Sequence, residues 1–463
     1  MSTLWRTGCV VLALVAIAQQ VALAEEGADP AASPAVVPAS EPDAGLPIHG
    51  YLSSRYVVRT RSGAGDQDLT ETLSLTIGDP ARHRVTLHVF GDVSMDLDGN
   101  TSNRGANPYD SARDSSGSAF VSHIYSLYLD INRVGSLSIF RVGRQSIYDT
   151  PETAFFDGVR VETAELGRNR VTVGAYGGIA VRLYEDYGSR DLLGGVYTTG
   201  RLWQGSRARV DWEHLEGHNG THEFQNNLIG VSGWQRIGRS VDVHARYTRL
   251  DDADRDVLVR SSLTKPEWDL RLQASFYQML ESRRDAVASE SDAYYPILKD
   301  YVPYREYRGL ASKGFGDHLN VDVGVDVRRL THGEQAGTYN HEFERYFATL
   351  DILDVGVKGS SISLTQEQWI SANRRTAAQG LDITCPVAER GKVSVGTAHY
   401  LYKYDTATDQ ERDDVQSYYA RLAYIHSPAL RWNVKYNYET SDSDSDSSSA
   451  HDNELRCEVI CTF

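Results

Sequence analysis

The residues whose types and spacing could do chemistry crowd most densely between Arg141 and Val161. Arg141-Val142-Gly143-Arg144-Gln145 is followed, after a short polar joint, by Phe156-Asp157-Gly158-Val159-Arg160-Val161. Read as a strand, a loop and a returning strand, this segment is expected to project Arg144 and Arg160 from neighbouring strands to one side, with Gln145 and Asp157 beside them. Two guanidinium groups near one carboxylate make either a structural brace or a station for anions. The sequence leaves both open.

Catalytic and metal chemistry find less support. Asp96-Leu97-Asp98-Gly99-Asn100 starts like a calcium loop, but Asn107 stands where the twelfth-position glutamate would be, so a solvated turn is expected. The acidic run Ser441–Ser449, with Asp442, Asp444 and Asp446, reads as a solvated loop. The 14 histidines are scattered, and no strand pair brings a nucleophile beside one. Cys457 and Cys461 lie roughly 13 Å apart on one strand face, beyond disulfide reach. No cysteine–histidine spacing suggests zinc or haem. No cofactor, no metal and no enzymatic activity are expected. A net charge of −16 argues against a nucleic-acid partner.

The elements that must carry these residues are strands. His318–Arg328 alternates Leu319, Val321, Val323, Val325 and Val327 with Asn320, Asp322, Gly324, Asp326 and Arg328. Leu430–Glu439 sets Leu430, Trp432, Val434, Tyr436 and Tyr438 against Arg431, Asn433, Lys435, Asn437 and Glu439. Asp269–Tyr277, Arg207–Glu213 and Val241–Thr248 repeat the scheme. One face is apolar and the other wet, as in a barrel wall between lipid and water. The mean hydropathy of −0.42 is compatible with this, because the two faces cancel. The wet face is expected to carry Arg160, Glu162, Arg209, Asp211, Arg246, Arg271, Asp326, Arg328, Arg431 and Lys435. Together with Arg144, Gln145 and Asp157, these are the candidate pore-lining residues.

Short joints such as Asp79–Arg82, Trp203–Ser206, Arg236–Arg239 and Ser427–Ala429 alternate with longer polar segments such as Asp98–Gly117, Glu281–Val302 and Ser441–Asn453. Ten short turns, with both termini on their side, make 22 strands, within a range of about 18–22 for a closed antiparallel transmembrane barrel. The chain is all-β.

The ends set the compartment. Residues 1–24 carry Arg6, an apolar run and Ala22-Leu23-Ala24, the pattern of a cleaved secretory signal peptide. Residues 25–47, rich in alanine and proline, form an extended periplasmic tether. Residues 48–463 form the barrel. The final strand alternates Leu455, Cys457, Val459, Cys461 and Phe463 with polar partners, and resembles the closing strand of a Gram-negative outer-membrane barrel. In such barrels a terminal phenylalanine belongs to the signal read by the assembly machinery.

Val142-Gly143-Arg144-Gln145 followed by Phe156-Asp157-Gly158-Val159-Arg160-Val161 resembles the alginate export family of outer-membrane barrels. The likeness extends through Asp191–Trp203 and covers about a quarter of the barrel. It implies a monomer whose lumen arginines guide an anionic polymer outward. The wet face itself mixes cations and acids nearly evenly, whereas a duct for polyanions would be lopsided. The residues therefore point to a porin for small hydrophilic or charged solutes, with export of an anionic exopolysaccharide as the alternative. A third possibility is a structural or adhesive surface barrel. Outer-membrane lipid and lipopolysaccharide are the expected surroundings. The tyrosines Tyr294, Tyr295, Tyr301, Tyr304 and Tyr307 leave open whether the 281–302 loop plugs the lumen.

Overall fold

A computed structural model describes residues 46–61, 64–98, 120–132, 134–148, 153–181, 191–219, 222–280, 302–331, 341–371, 374–405, 410–441 and 450–463. The expected signal peptide (1–24) and nearly all of the tether (25–47) lie outside these residues. So do positions 99–119, 281–301 and 442–449, which held the expected long loops.

The described chain forms a 22-stranded sheet that closes on itself. Its strands are β1 (Ile48–Arg61), β2 (Ala64–Ile77), β3 (Val85–Asp96), β4 (Phe120–Ile131), β5 (Leu137–Ile147) and β6 (Ala154–Thr163). Then come β7 (Thr172–Ala180), β8 (Leu192–Gly200), β9 (Ser206–Asn219), β10 (His222–Ile237), β11 (Val241–Leu250) and β12 (Ala253–Lys265). β13 (Leu270–Met279), β14 (Tyr304–Phe315), β15 (Leu319–Leu330), β16 (Phe343–Leu353) and β17 (Ser361–Ser371) follow. The last five are β18 (Arg374–Val387), β19 (Gly391–Asp405), β20 (Gln410–Ser427), β21 (Leu430–Ser441) and β22 (Ala450–Thr462).

Every strand pairs antiparallel with its sequence neighbours, and β22 returns to β1 from Tyr51↔Thr462 to Arg61↔Asp452. The Phe463 carbonyl accepts from the Gly50 amide at 2.8 Å, and the Phe463 amide donates to the Gly50 carbonyl at 3.0 Å. The terminal aromatic thus finishes the seam, and closure leaves no open sheet edge.

The ten expected short turns all join strands on the side of the termini. Where the chain reverses most tightly, backbone geometry dictates the residue. Gly205 has φ +77°, and a Cβ there would stand 2.7 Å from the Arg236 carbonyl. A three-residue helix, Pro266–Trp268, makes the β12–β13 turn, and Asp269 closes it in the left-handed region at φ 49°.

The opposite rim differs from expectation. Only two residues separate β1 from β2, β9 from β10, β11 from β12, and β17 from β18. β20 already begins at Gln410, and β22 begins at Ala450, inside the expected loop Ser441–Asn453. At this rim both strand faces are wet, so the pairing continues without the apolar alternation that marks strands in a sequence.

Large exposed apolar side chains share one face. The register places Val142 beside Val159, Val196 beside Trp212, Leu364 beside Leu381, and Trp432 beside Val459. That face is the outside, fit for lipid. Ion pairs such as Arg141–Asp130, Arg209–Asp211 and Arg345–Glu367 lie on the other face, toward the lumen.

Candidate functional site: the lumen wall

The wall from β4 to β9 is a braced belt. The Arg141 guanidinium grips the Asp130 carboxylate through Nε at 2.7 Å and Nη2 at 2.9 Å, and lies 3.8 Å over the Tyr128 ring. One strand further, Arg160 donates to the Tyr197 hydroxyl at 3.0 Å, and that hydroxyl donates to Glu162. Arg209, only 2 % exposed, binds both oxygens of Asp211 and stacks 4.2 Å over the Tyr197 ring. Tyr176 donates to the buried Glu213 at 2.6 Å.

Two glycines make this packing possible. A Cβ on Gly174 would stand 2.1 Å from the Tyr197 ring, and one on Gly195 would stand 2.4 Å from the Tyr176 ring. The rings therefore lie flat on bare backbone, and with Phe156, Ile147 and Leu193 they belong to the larger of the two buried apolar clusters among the described residues. Gln145, fully buried, donates weakly to the carbonyls of Gly143 and Gly158 from the same face.

A second network sits on β15–β17. Arg345 reaches Glu367 at 2.7 and 3.1 Å and Asp326 at 3.2 Å, and lies 4.5 Å over the Phe347 ring. Arg328 lies 3.8 Å over Tyr304, and Lys435 lies 5.5 Å from the Tyr419 ring. Arg246 pairs with Asp256 at 3.4 Å. Arg271 and Arg431 fall on the lumen side of β13 and β21, out of phase with exposed Leu272 and Trp432.

Arg144 and Asp157 are a correction. The register aligns Leu127, Arg144, Asp157, Ile179 and Leu192, and the three apolar members of this row are exposed on the outer face. Arg144 holds both Asp157 oxygens, at 2.8 and 2.7 Å, and donates to the Ile124 carbonyl at 3.1 Å. Arg160 instead opposes Arg141, inside the barrel. Arg144 and Asp157 therefore do not line the pore, and Arg144 and Arg160 form no joint station. Arg170 lies in the β6–β7 turn and pairs with Glu165 at 3.0 Å.

The register also joins into one lumen row residues that no single strand pattern brings together. Arg207 on β9, Trp234 on β10, His244 on β11 and Arg260 on β12 are direct cross-strand neighbours. The row continues through Ser275, Arg308, Asp326 and Arg345. From Arg207 to Arg345 it spans roughly 34 Å of wall, at about 4.8 Å per strand. It borders a recess of about 980 Å³.

Among solved structures, the chain is similar to OccK3 (OpdO) of Pseudomonas aeruginosa, at 13 % identity and a TM-score of 0.43, over 90 % of this chain and 96 % of that one. It is also similar to the P pilus usher PapC translocation pore, at 10 % identity and a TM-score of 0.49, over 90 % and 99 % of the two chains. A BenF-like porin from Pseudomonas fluorescens Pf-5 aligns at 12 % identity and a TM-score of 0.41, again over 90 % and 99 %. No protein-family model and no curated relative matches the sequence.

Beyond the strands, two carboxyls are displaced from their ordinary range. Burial, and then the charge of Asp66, holds Asp98 above it. Asp251, at φ 45° in the β11–β12 turn, is held below it. Burial opposes that shift, but hydrogen bonds from the Asn226 side chain at 2.9 Å and the Asn227 amide at 2.7 Å outweigh it. Among the described residues, no group of histidine, cysteine or acidic side chains is placed to hold a metal ion.

Proposed function

We propose that this chain is an outer-membrane porin that passes small hydrophilic or charged solutes. The observation that carries this reading is a closed 22-strand wall, apolar outside and charged within. A circumference of that size encloses more space than inward side chains fill. Most described lumen arginines are matched by acids or aromatic rings, so the wall is stiff and of mixed sign rather than a uniformly basic duct. That balance favours small-solute passage over polymer export. The local argument for export also weakens, because it placed Arg144 and Arg160 in the lumen together. Transport rather than catalysis follows from the same wall, where ionic groups serve as braces.

The test is reconstitution in planar bilayers. Discrete conductance steps from purified, heat-modifiable barrel are the expected result. A silent barrel that hydrolyses lipid or peptide would replace transport with enzymatic function, and a silent and inactive one would favour a surface or adhesive role.

A further inference from the structure

We propose that the Arg207–His244–Arg260 part of the lumen row is an anion station that receives the oxyanion end of small solutes. The proposal rests on the porin reading and assigns its selectivity to a place. Several other arginines of the wall are tied to acids, as in Arg141–Asp130, Arg209–Asp211 and Arg345–Glu367. The acids nearest this recess are engaged as well. Asp242 pairs with Arg236 at 2.9 Å, and Asp326 with Arg345 at 3.2 Å.

Arg207 and Arg260 are different. Among the described residues, Arg207 has a hydroxyl and a ring as partners: Thr199 Oγ1 at 3.1 Å and the Trp234 face at 5.1 Å. His244 stacks on Trp234 at 4.7 Å with planes 5° apart, and among the described residues its Nε2 is buried without a hydrogen-bond partner. Trp234 thus contacts both Arg207 and His244.

Arg207 and Arg260 are three strands apart, roughly 14 Å at the backbone. Arg207 lies against Trp234, Arg260 stands directly beside His244 in the register, and all four border the same recess. Planar guanidinium forks match carboxylate and phosphate oxygens in pairs. The recess of about 980 Å³ has room for a solute of metabolite size. In a lumen with low-dielectric walls such cations act more strongly than on an open surface.

The experiment measures reversal potential in a salt gradient on equal amounts of folded barrel, for wild type, Arg207→Gln/Arg260→Gln and Lys435→Gln. The double variant should lower the chloride-to-potassium permeability ratio by about threefold, and the lysine variant much less. Arg260→Lys, which keeps the charge, should stay near wild type and serves if the double variant assembles poorly. Succinate and inorganic phosphate are then added separately as probes. Reduction of wild-type current by succinate assigns the station to carboxylates, and reduction by phosphate alone assigns it to phosphoryl groups. Reduction by neither would overturn it. An unchanged ratio in a conducting double variant, or a fall matched by Lys435→Gln, would also overturn the station while leaving the porin reading intact. A wild-type barrel without conductance would instead remove the porin reading itself.

Discussion

Replacing Arg144 by glutamine should weaken the barrel without touching its ion selectivity, and the size of the loss follows from where the pair sits. Arg144 lies three residues before Ile147, the last residue of β5. That is roughly 10 Å along the strand, or about 7 Å of depth at a tilt of about 40°. That is past halfway to the middle of an apolar band about 25 Å tall. At this depth a lone charge on the lipid face costs between the about 0–1 kcal/mol of the interface and the about 2–4 of the midplane. The lost hydrogen bonds add to this. Arg144 makes two to Asp157 and one to the Ile124 carbonyl. Bonds to charged groups contribute about 1.5–3 kcal/mol, but the Asp157 side chain is 44 % exposed, so the lower end applies.

The single variant should therefore lose at least about 1–2 kcal/mol. Arg144→Gln/Asp157→Asn should lose less than the two singles added together, with a coupling of about 1 kcal/mol. Denaturant titration in lipid vesicles, read by tryptophan fluorescence and heat-modifiable mobility, measures both quantities. Reversal potentials on the same preparations should match wild type. A changed permeability ratio with unchanged stability would place Arg144 in the lumen and refute the assignment of faces.

Three further outcomes are expected. Gly174→Val puts carbon where the Tyr197 ring lies, so it should cost about 1–3 kcal/mol or reduce the folded yield, and Tyr197→Ala in the same background should recover part of that loss. Asp251→Asn keeps the left-handed turn but removes a carboxylate whose folded pKa is depressed. The stability it contributes is present above the ordinary carboxylate pKa and is lost as pH falls through the lower folded value, so unfolding titrations of the variant should show a shallower acid decline. Deleting Phe463 removes the two backbone hydrogen bonds to Gly50 at the seam and should lower the fraction of heat-modifiable barrel in outer-membrane preparations. Full yield would contradict the assembly role.

The sequence by itself determined the wall but not what the wall brings together. Alternation in stretches such as Leu319–Arg328 and Leu430–Glu439 marks a strand with one dry and one wet face, and turn chemistry at Asp79–Arg82 or Trp203–Ser206 marks where it reverses. These signals are local, and they sufficed for 22 antiparallel strands, the ten turns and the closing strand. Period two also contained a warning. Asp157 and Arg160 are an odd number of residues apart, so one strand cannot point both inward, and Val142, two residues before Arg144, already assigned that arginine to the apolar face.

The lumen contacts were not legible, because they depend on register between strands. Arg141 finds Asp130, and Arg345 finds Glu367, only when pairing sets their levels, and no single-strand pattern states that level. The row from Arg207 through Trp234 and His244 to Arg260 joins four strands at one height. A shift of one residue in any of them would turn its member to the lipid face. The sequence chose the faces; closure of the barrel chose the neighbours.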